Sequence, residues 1–402
     1  MRLNYEKLRE RYGDEGVAAA EELTAMYLPE TYEWLASLWD GSVGAFYYAT
    51  SARVNDGFLP DSESTQQAIG LLRLLGLFPD ELQLPASMRE KLGRFAYSLQ
   101  DPDGYFYHPQ WKEMMLNDPE RYNSRRGRDF GQCMWLLNKV SGIKPKYPTA
   151  LDNLKKAACG MDTGNATIPE YLRSREAFIK HLDEMDINTS SYPKGHWISS
   201  QASQIIAAGL AETCIEYMTE KQNKENGTWE SEVNQRSIDG VTKIGTAFCS
   251  LGARIPNATV AFRSAVSVAL KREPTTAVTN AYNPFWTMEQ MLNGFKSGGM
   301  DEEYLECKRI LLENGVELMR VTAEKLRPYY HAPEAAFHYC TFGSSPTSQR
   351  VPTSLGVKEG DVNATSLGID TIVRIFRLLD ADIGKPCGAQ DGEAFLRLIG
   401  EL

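Results

Sequence analysis

Apolar residues along this chain recur at intervals of three and four. In "MREKLGRFAYSL" (88–99) and "TSLGIDTIVRIFRLL" (365–379) that spacing lines one face of a helix, and the alternating runs that mark strands are scarce. The pattern therefore predicts an all-α protein. Six times a polar or charged turn opens onto an apolar helical run: "PDSESTQQAIGLL", "RRGRDFGQCMWLL", "GHWISSQASQIIAAG", "RSIDGVTKIGTAF", "NAYNPFWTMEQML" and "EGDVNATSLGIDTIV". Four segments, "LLRLLGLFP", "WLLNKVSGIKP", "TAFCSLGARIP" and "IFRLLDADIGKP", finish on an apolar tail, a glycine and a proline, a common way for helices to stop. Repeated starts and stops indicate a tandem array of helical hairpins.

A loop type recurs alongside them. "QDPDGYFYHPQW" (100–111), "WDGSVGAFYY" (39–48) and "QNKENGTWE" (222–230) each turn on a glycine and place an aromatic close behind it; "HAPEAAFHYC" (331–340) is a looser relative. With six hairpins and these loops, the chain resembles the α/α toroid superfamily, which includes terpenoid cyclases, protein prenyltransferases and several glycoside hydrolases and polysaccharide lyases. That resemblance spans nearly the whole chain and implies a single (α/α)6 toroid over residues 1–402, with six inner and six outer helices. In terpenoid cyclases a glutamine followed by Asp-Gly and an aromatic ties the outer helices together, and "QDPDGYF" and "QNKENGTW" look like that element. It implies that Gln100, Gly104, Phe106, Gln222, Gly227 and Trp229 brace the ring. Tyr105, Tyr107 and His108 are then left to face the cavity.

Charge narrows the ligand class. A net charge of −10 and the absence of a basic stripe argue against nucleic acid. Seven scattered cysteines without a Cys-x-x-Cys pair suggest neither a disulfide framework nor a zinc site. No apolar run is long enough for a membrane span and the N-terminus is polar, so the cytoplasm is the expected location. No phosphate loop or dinucleotide fingerprint occurs, and no metal or other cofactor is expected.

In a toroid the turns before the inner helices open on one end of the cavity, so candidate chemistry is sought there. The first turn offers Asp61 and Glu63, for which helix capping is the plainer role. The fourth offers Asp239 with Lys243 four residues on, a spacing typical of a surface ion pair. The sixth, "KEGDVNAT", gathers Glu359 and Asp361. His196 joins these as a possible proton carrier. Sugar-facing candidates are Tyr105, Tyr107, His108, Trp197, Trp286, Tyr330, His331 and His338, with Arg128 of "NSRRGRDFGQ" available for an anionic group; a packed histidine or a solvated charge run is the alternative in each case.

Recurring carboxylates and aromatics suit acid/base hydrolysis of a glycosidic bond in a small oligosaccharide. Elimination from a uronide is the close rival, since Arg, Tyr and His are also at hand. An isoprenoid enzyme or a non-catalytic binding protein is the alternative class; the Asp-x-Asp-Asp motif of cyclases and the prenyltransferase zinc signature are absent. Replacing Asp361 by Asn or Glu63 by Gln is expected to remove activity and leave thermal unfolding nearly unchanged.

Overall fold

All six segments that follow a polar turn are helical in the computed structural model, which describes residues 3–163 and 168–402. They are α1 (Ser62–Leu75), α2 (Asn123–Trp135), α3 (Ser191–Ala207), α4 (Gln235–Ser250), α5 (Thr279–Ser297) and α6 (Val362–Leu378). Each packs on the next, and α6 packs on α1, so the contacts close into a cycle. Intervening helices lie against this cycle: Ala258–Ala269 on α5, and Ala86–Ser98 on the turn Leu136–Ser141 that continues α2. The first helix, Glu6–Thr24, packs on Gly315–Leu326 and joins the beginning of the chain to its last third. One buried apolar cluster runs from Leu8 to Leu396.

The helices start and stop for the reasons the sequence suggests. Asp61, Asn234 and Asp361 cap α1, α4 and α6, their side chains accepting backbone amides of the first turn. Gly76, Gly142 and Gly252 each take the left-handed conformation that ends a helix. The fourth stop differs: Asp380 turns left-handed directly behind α6 (φ 53°), ahead of the left-handed Gly384 (φ 77°), with its carboxylate paired to Lys308 at 2.7 Å. Short polar side chains tolerate that region better than most.

The two glutamine loops do brace the array. Gln100 exchanges two hydrogen bonds with the backbone of Tyr147, and Gly104 sits at φ 91° against the carbonyl of Pro148, where a Cβ would come within 2.7 Å of that oxygen. Gln222 donates to Pro256, and Gly227 (φ 71°) lies against the amide of Ala261. Phe106 and Trp229 are fully buried. Glycines also set the α3–α4 distance: a Cβ on Gly195 would meet the backbone nitrogen of Ile244 at 2.8 Å, and one on Gly240 would overlap the Ser191 hydroxyl.

The only strands among the described residues form three two-residue hairpins. Two of these, Trp39–Asp40 with Ala45–Phe46 and Tyr330–His331 with Ala336–Phe337, are the aromatic loops noted in the sequence, and they are built alike. The amide of Phe46 donates to Thr65 Oγ1 at 2.9 Å and the amide of Phe337 to Thr365 Oγ1 at 3.0 Å. Each threonine in turn donates to the carbonyl of its capping aspartate at 2.7 Å. The third hairpin joins Thr347–Ser348 to Val351–Pro352 through left-handed Gln349 and Arg350.

Candidate active site

Several buried ionisable groups, among them Asp61, Glu63, Arg125, Glu359 and Asp361, lie at the N-terminal turns of α1, α2 and α6. At the centre of one cluster is Arg125 on α2, fully buried, with its guanidinium 3.1 Å from Asp61, 2.8 Å from Glu63 and 2.9 Å from Asp129. Arg128, one turn on, also pairs with Glu63, and the hydroxyl of Ser348 donates to the same carboxylate at 2.9 Å. The Arg125 guanidinium lies 4.7 Å over the ring of Trp111, which stacks in turn on His108. Such a network compensates its own charges, and it commits Asp61 to capping and ion pairing.

Glu359 accepts from the amide and hydroxyl of Ser51 and from Ser344 Oγ at 2.9 Å, so it clips two loops together. Asp361 accepts from the amides of Ala364 (2.7 Å) and Tyr339 (2.9 Å) and has no solvent exposure. Burial without a cationic partner pushes its carboxyl up to about 7, against the pull of those amide donors. Beside it the buried Tyr48 phenol makes no well-formed hydrogen bond.

The fourth turn is arranged differently from the surface ion pair anticipated there. Asp239 is held by three amides: Gln235 and Asn283 at 2.8 Å and Asn280 at 3.2 Å. Burial raises its carboxyl to about 6 even so, the amides and Lys243 drawing it back down. Lys243 does not pair with it, and no carboxylate among the described residues lies within ion-pair distance of the ammonium; it is 5.5 Å above the ring of Tyr192. The Tyr192 phenol is pushed up to about 12, first by burial and then by the charge of Asp239. The pair is partly buried where α3 and α4 approach closely through Gly195 and Gly240, which four-residue spacing alone does not reveal.

Below this turn a cavity of about 700 Å³ opens between α1, α2, α3 and α4, lined by Arg128, His196 and Lys243 together with Gln132, Ser203 and Thr246. His196 is buried, its Nε2 has no hydrogen-bond partner, and burial followed by the charges of Lys243 and Arg128 holds it well below its ordinary value. A cavity of similar size at Gly252–Thr259 carries only Arg254 and Glu303 as charged groups. No family model, curated protein or solved structure matches this chain. Among the described residues no His, Cys, Asp and Glu cluster is suited to hold a metal, and no helix is long and apolar enough to cross a membrane.

Several aromatic candidates face elsewhere. Tyr105, Tyr107 and His108 are buried in their own loop, not free toward the cavity: Tyr105 bonds Gln204, Tyr107 bonds Asp103 at 2.7 Å, and His108 bonds the carbonyl of Pro60 at 3.0 Å. Satisfying these polar tips inside the brace is what allows the rings to be buried at all. Trp197 packs on Tyr171 and His181. Tyr330, His331 and His338 belong to the second aromatic hairpin, where Tyr330 packs edge-on to Phe337 and His338 edge-on to Tyr329. Trp286 lies inside the helix cycle, with its indole N–H 3.1 Å from Thr246 and Arg374 stacked 4.2 Å above it. Arg374 is neutralised there by Glu289 and Asp370.

Tyr192, Gln235, Asn280 and Asn283 were not chosen from the sequence, and Lys243 was singled out there only as the partner of Asp239 in a surface ion pair. The polar first turn of "NAYNPF" was the available signal for the two asparagines, since side-chain amides at a helix start serve either its own backbone or a neighbour's carboxylate.

Proposed function

We propose that the protein is an (α/α)6 toroid that hydrolyses a glycosidic bond in a small oligosaccharide. The closed cycle of α1–α6, with intervening helices against it, supports the toroid. The observation that carries the chemistry is Asp239: a carboxyl with its pKa near 6, fixed by three amides one helical turn before Lys243, which lines a cavity of about 700 Å³. A general acid needs a protonated carboxyl of that kind close to the working pH. Glu63, tied to Arg125, Arg128 and Ser348, is assigned as the opposing carboxylate. The charges of both Glu63 and Asp239 are felt by Lys243 and Tyr192, which supports assigning the two carboxylates to one site. Hydrolysis then proceeds by proton donation from Asp239 to the leaving oxygen as the glycosidic bond breaks, while water attacks the anomeric carbon and gives its proton to Glu63.

A specific observation favours elimination as the second reading. Tyr192 and Lys243 are proton carriers adjacent to Asp239, and Arg128 is placed to neutralise a sugar carboxylate. The purified protein is incubated with neutral and uronic-acid oligosaccharides, following reducing ends and ultraviolet absorbance of unsaturated uronides together. New reducing ends without absorbance support hydrolysis. Rising absorbance transfers the assignment to elimination, and silence in both channels refutes the carbohydrate reading.

A further inference from the structure

Two cations and a neutral histidine meet at the cavity between α1, α2, α3 and α4. Arg128 on α2, His196 on α3 and Lys243 on α4 all line it. Two of these groups have buried nitrogens that meet no well-formed hydrogen-bond partner: Arg128 Nε, a donor, and His196 Nε2, on an imidazole that also has Gln349 beside it. Lys243 has only the ring of Tyr192. Glu63 pairs with the Arg128 guanidinium and Asp239 accepts from three amides, and neither carboxylate comes within ion-pair distance of the Lys243 ammonium among the described residues. Like charges collected around an open space, with donors left over, cost stability unless an anion joins them. The nearby hydroxyls of Ser199 and Ser200 donate back to the His196 carbonyl at 3.0 and 2.8 Å, which leaves their oxygens as acceptors for neutral hydroxyl groups.

We propose that Arg128, Lys243 and His196 form a subsite for the carboxylate of a uronic acid, so that the substrate is an acidic saccharide. The sugar part of this inference rests on the function proposed above; the anionic part rests on the cavity alone. Arg128 supplies a planar donor edge suited to a carboxylate, Lys243 supplies the point charge, and His196 donates a neutral hydrogen bond through Nε2. The serine oxygens receive ring hydroxyls.

Calorimetric titration with D-glucuronate, D-glucose and inorganic phosphate tests this without requiring turnover. Glucuronate is expected to bind at least about tenfold more tightly than glucose, and Lys243→Met to lose that preference, because a charged hydrogen bond is worth about that factor. Lys243→Arg is expected to restore part of it, and thermal unfolding of both variants establishes that they are folded. Equal affinity for glucuronate and glucose, no binding of either, or an unchanged Lys243→Met variant overturns the proposal. Tighter binding of phosphate than of glucuronate overturns it in favour of a phosphorylated ligand. Lys243-dependent glucuronate binding in a protein that cleaves no glycan upholds the subsite while removing the hydrolytic reading.

Discussion

Asp61 and Asp361 cap their helices in the same way, and only Asp61 has a cation. Both accept amides of the first helical turn, and the carbonyl of each accepts a threonine hydroxyl four residues later that also anchors an aromatic hairpin. Arg125 serves Asp61; Asp361 has only hydrogen-bond donors around it. Equivalent positions in the repeat have thus been given opposite electrostatics.

Removing the cation from the first cap leaves three buried carboxylates short of a partner. Arg125→Met is expected to destabilise the protein by about 3–5 kcal/mol, the usual cost of breaking a buried ion pair from one side. Urea unfolding measures it, and a loss below about 1 kcal/mol contradicts the assignment of Arg125 as the keystone of this cluster.

Asp361 carries a pH signature. Its folded-state carboxyl is raised from 3.8 to about 7 by burial, so the protonated form is the one the fold favours. Its contribution to stability is fully present below about 3.8 and is lost as pH rises through about 7. The parent is therefore expected to lose stability between those limits relative to Asp361→Asn, which cannot ionise, with unfolding midpoints compared at matched pH. Parallel curves for the two proteins count against it. The cap and loop bonds of Asp361, like the ion pairs of Glu63, also revise the expectation that substitutions there leave unfolding untouched.

The close approach of α3 and α4 rests on glycine. Gly195→Ala places a methyl against the backbone of Ile244 and is expected to cost about 1–3 kcal/mol, the range for overpacking. A neutral result in thermal unfolding means the two helices separate more easily than their packing implies.

Lys243 behaves in the opposite sense. Burial and the charge of Arg128 bring its ammonium down to about 8, so the folded state opposes its protonation. Lys243→Met retains the volume of the stem and removes the charge, and its melting temperature is expected to equal or exceed that of the parent at neutral pH. A clear fall in melting temperature assigns Lys243 a structural role.

The starts of α1–α6 and the stops of α1, α2 and α4 were legible because capping and left-handed turns are decided by a few neighbouring residues; Asp61, Asp361 and Gly76 act within one turn of where they stand, whereas α6 stops earlier than its glycine, at Asp380. The glutamine braces were legible for a similar reason, since Gly104 and Gly227 need their conformations locally. Which side chains converge on the cavity was not. Tyr105 and His108 were read as free because aromatic loops often line ligand sites, yet their polar tips find Gln204 and Pro60 from distant parts of the chain. Asp239 and Lys243 were read as a surface pair because their spacing carries no information about the glycines that bring α3 close to them. Asn280 and Asn283 complete the Asp239 site from the next helix, across a gap in sequence that only packing closes.

Asp239 as general acid is the claim on which the account turns. The most direct measurement is the pH dependence of reducing-end release by the parent and by Asp239→Asn, from about pH 5 to about pH 8, on whichever oligosaccharide is cleaved. Cleavage by the parent is expected to decline as pH rises through about 6, where Asp239 loses its proton, and Asp239→Asn is expected to lower kcat/KM by about 10²–10⁴ with unfolding little changed. A parental rate in Asp239→Asn, or a flat profile through that range, contradicts it.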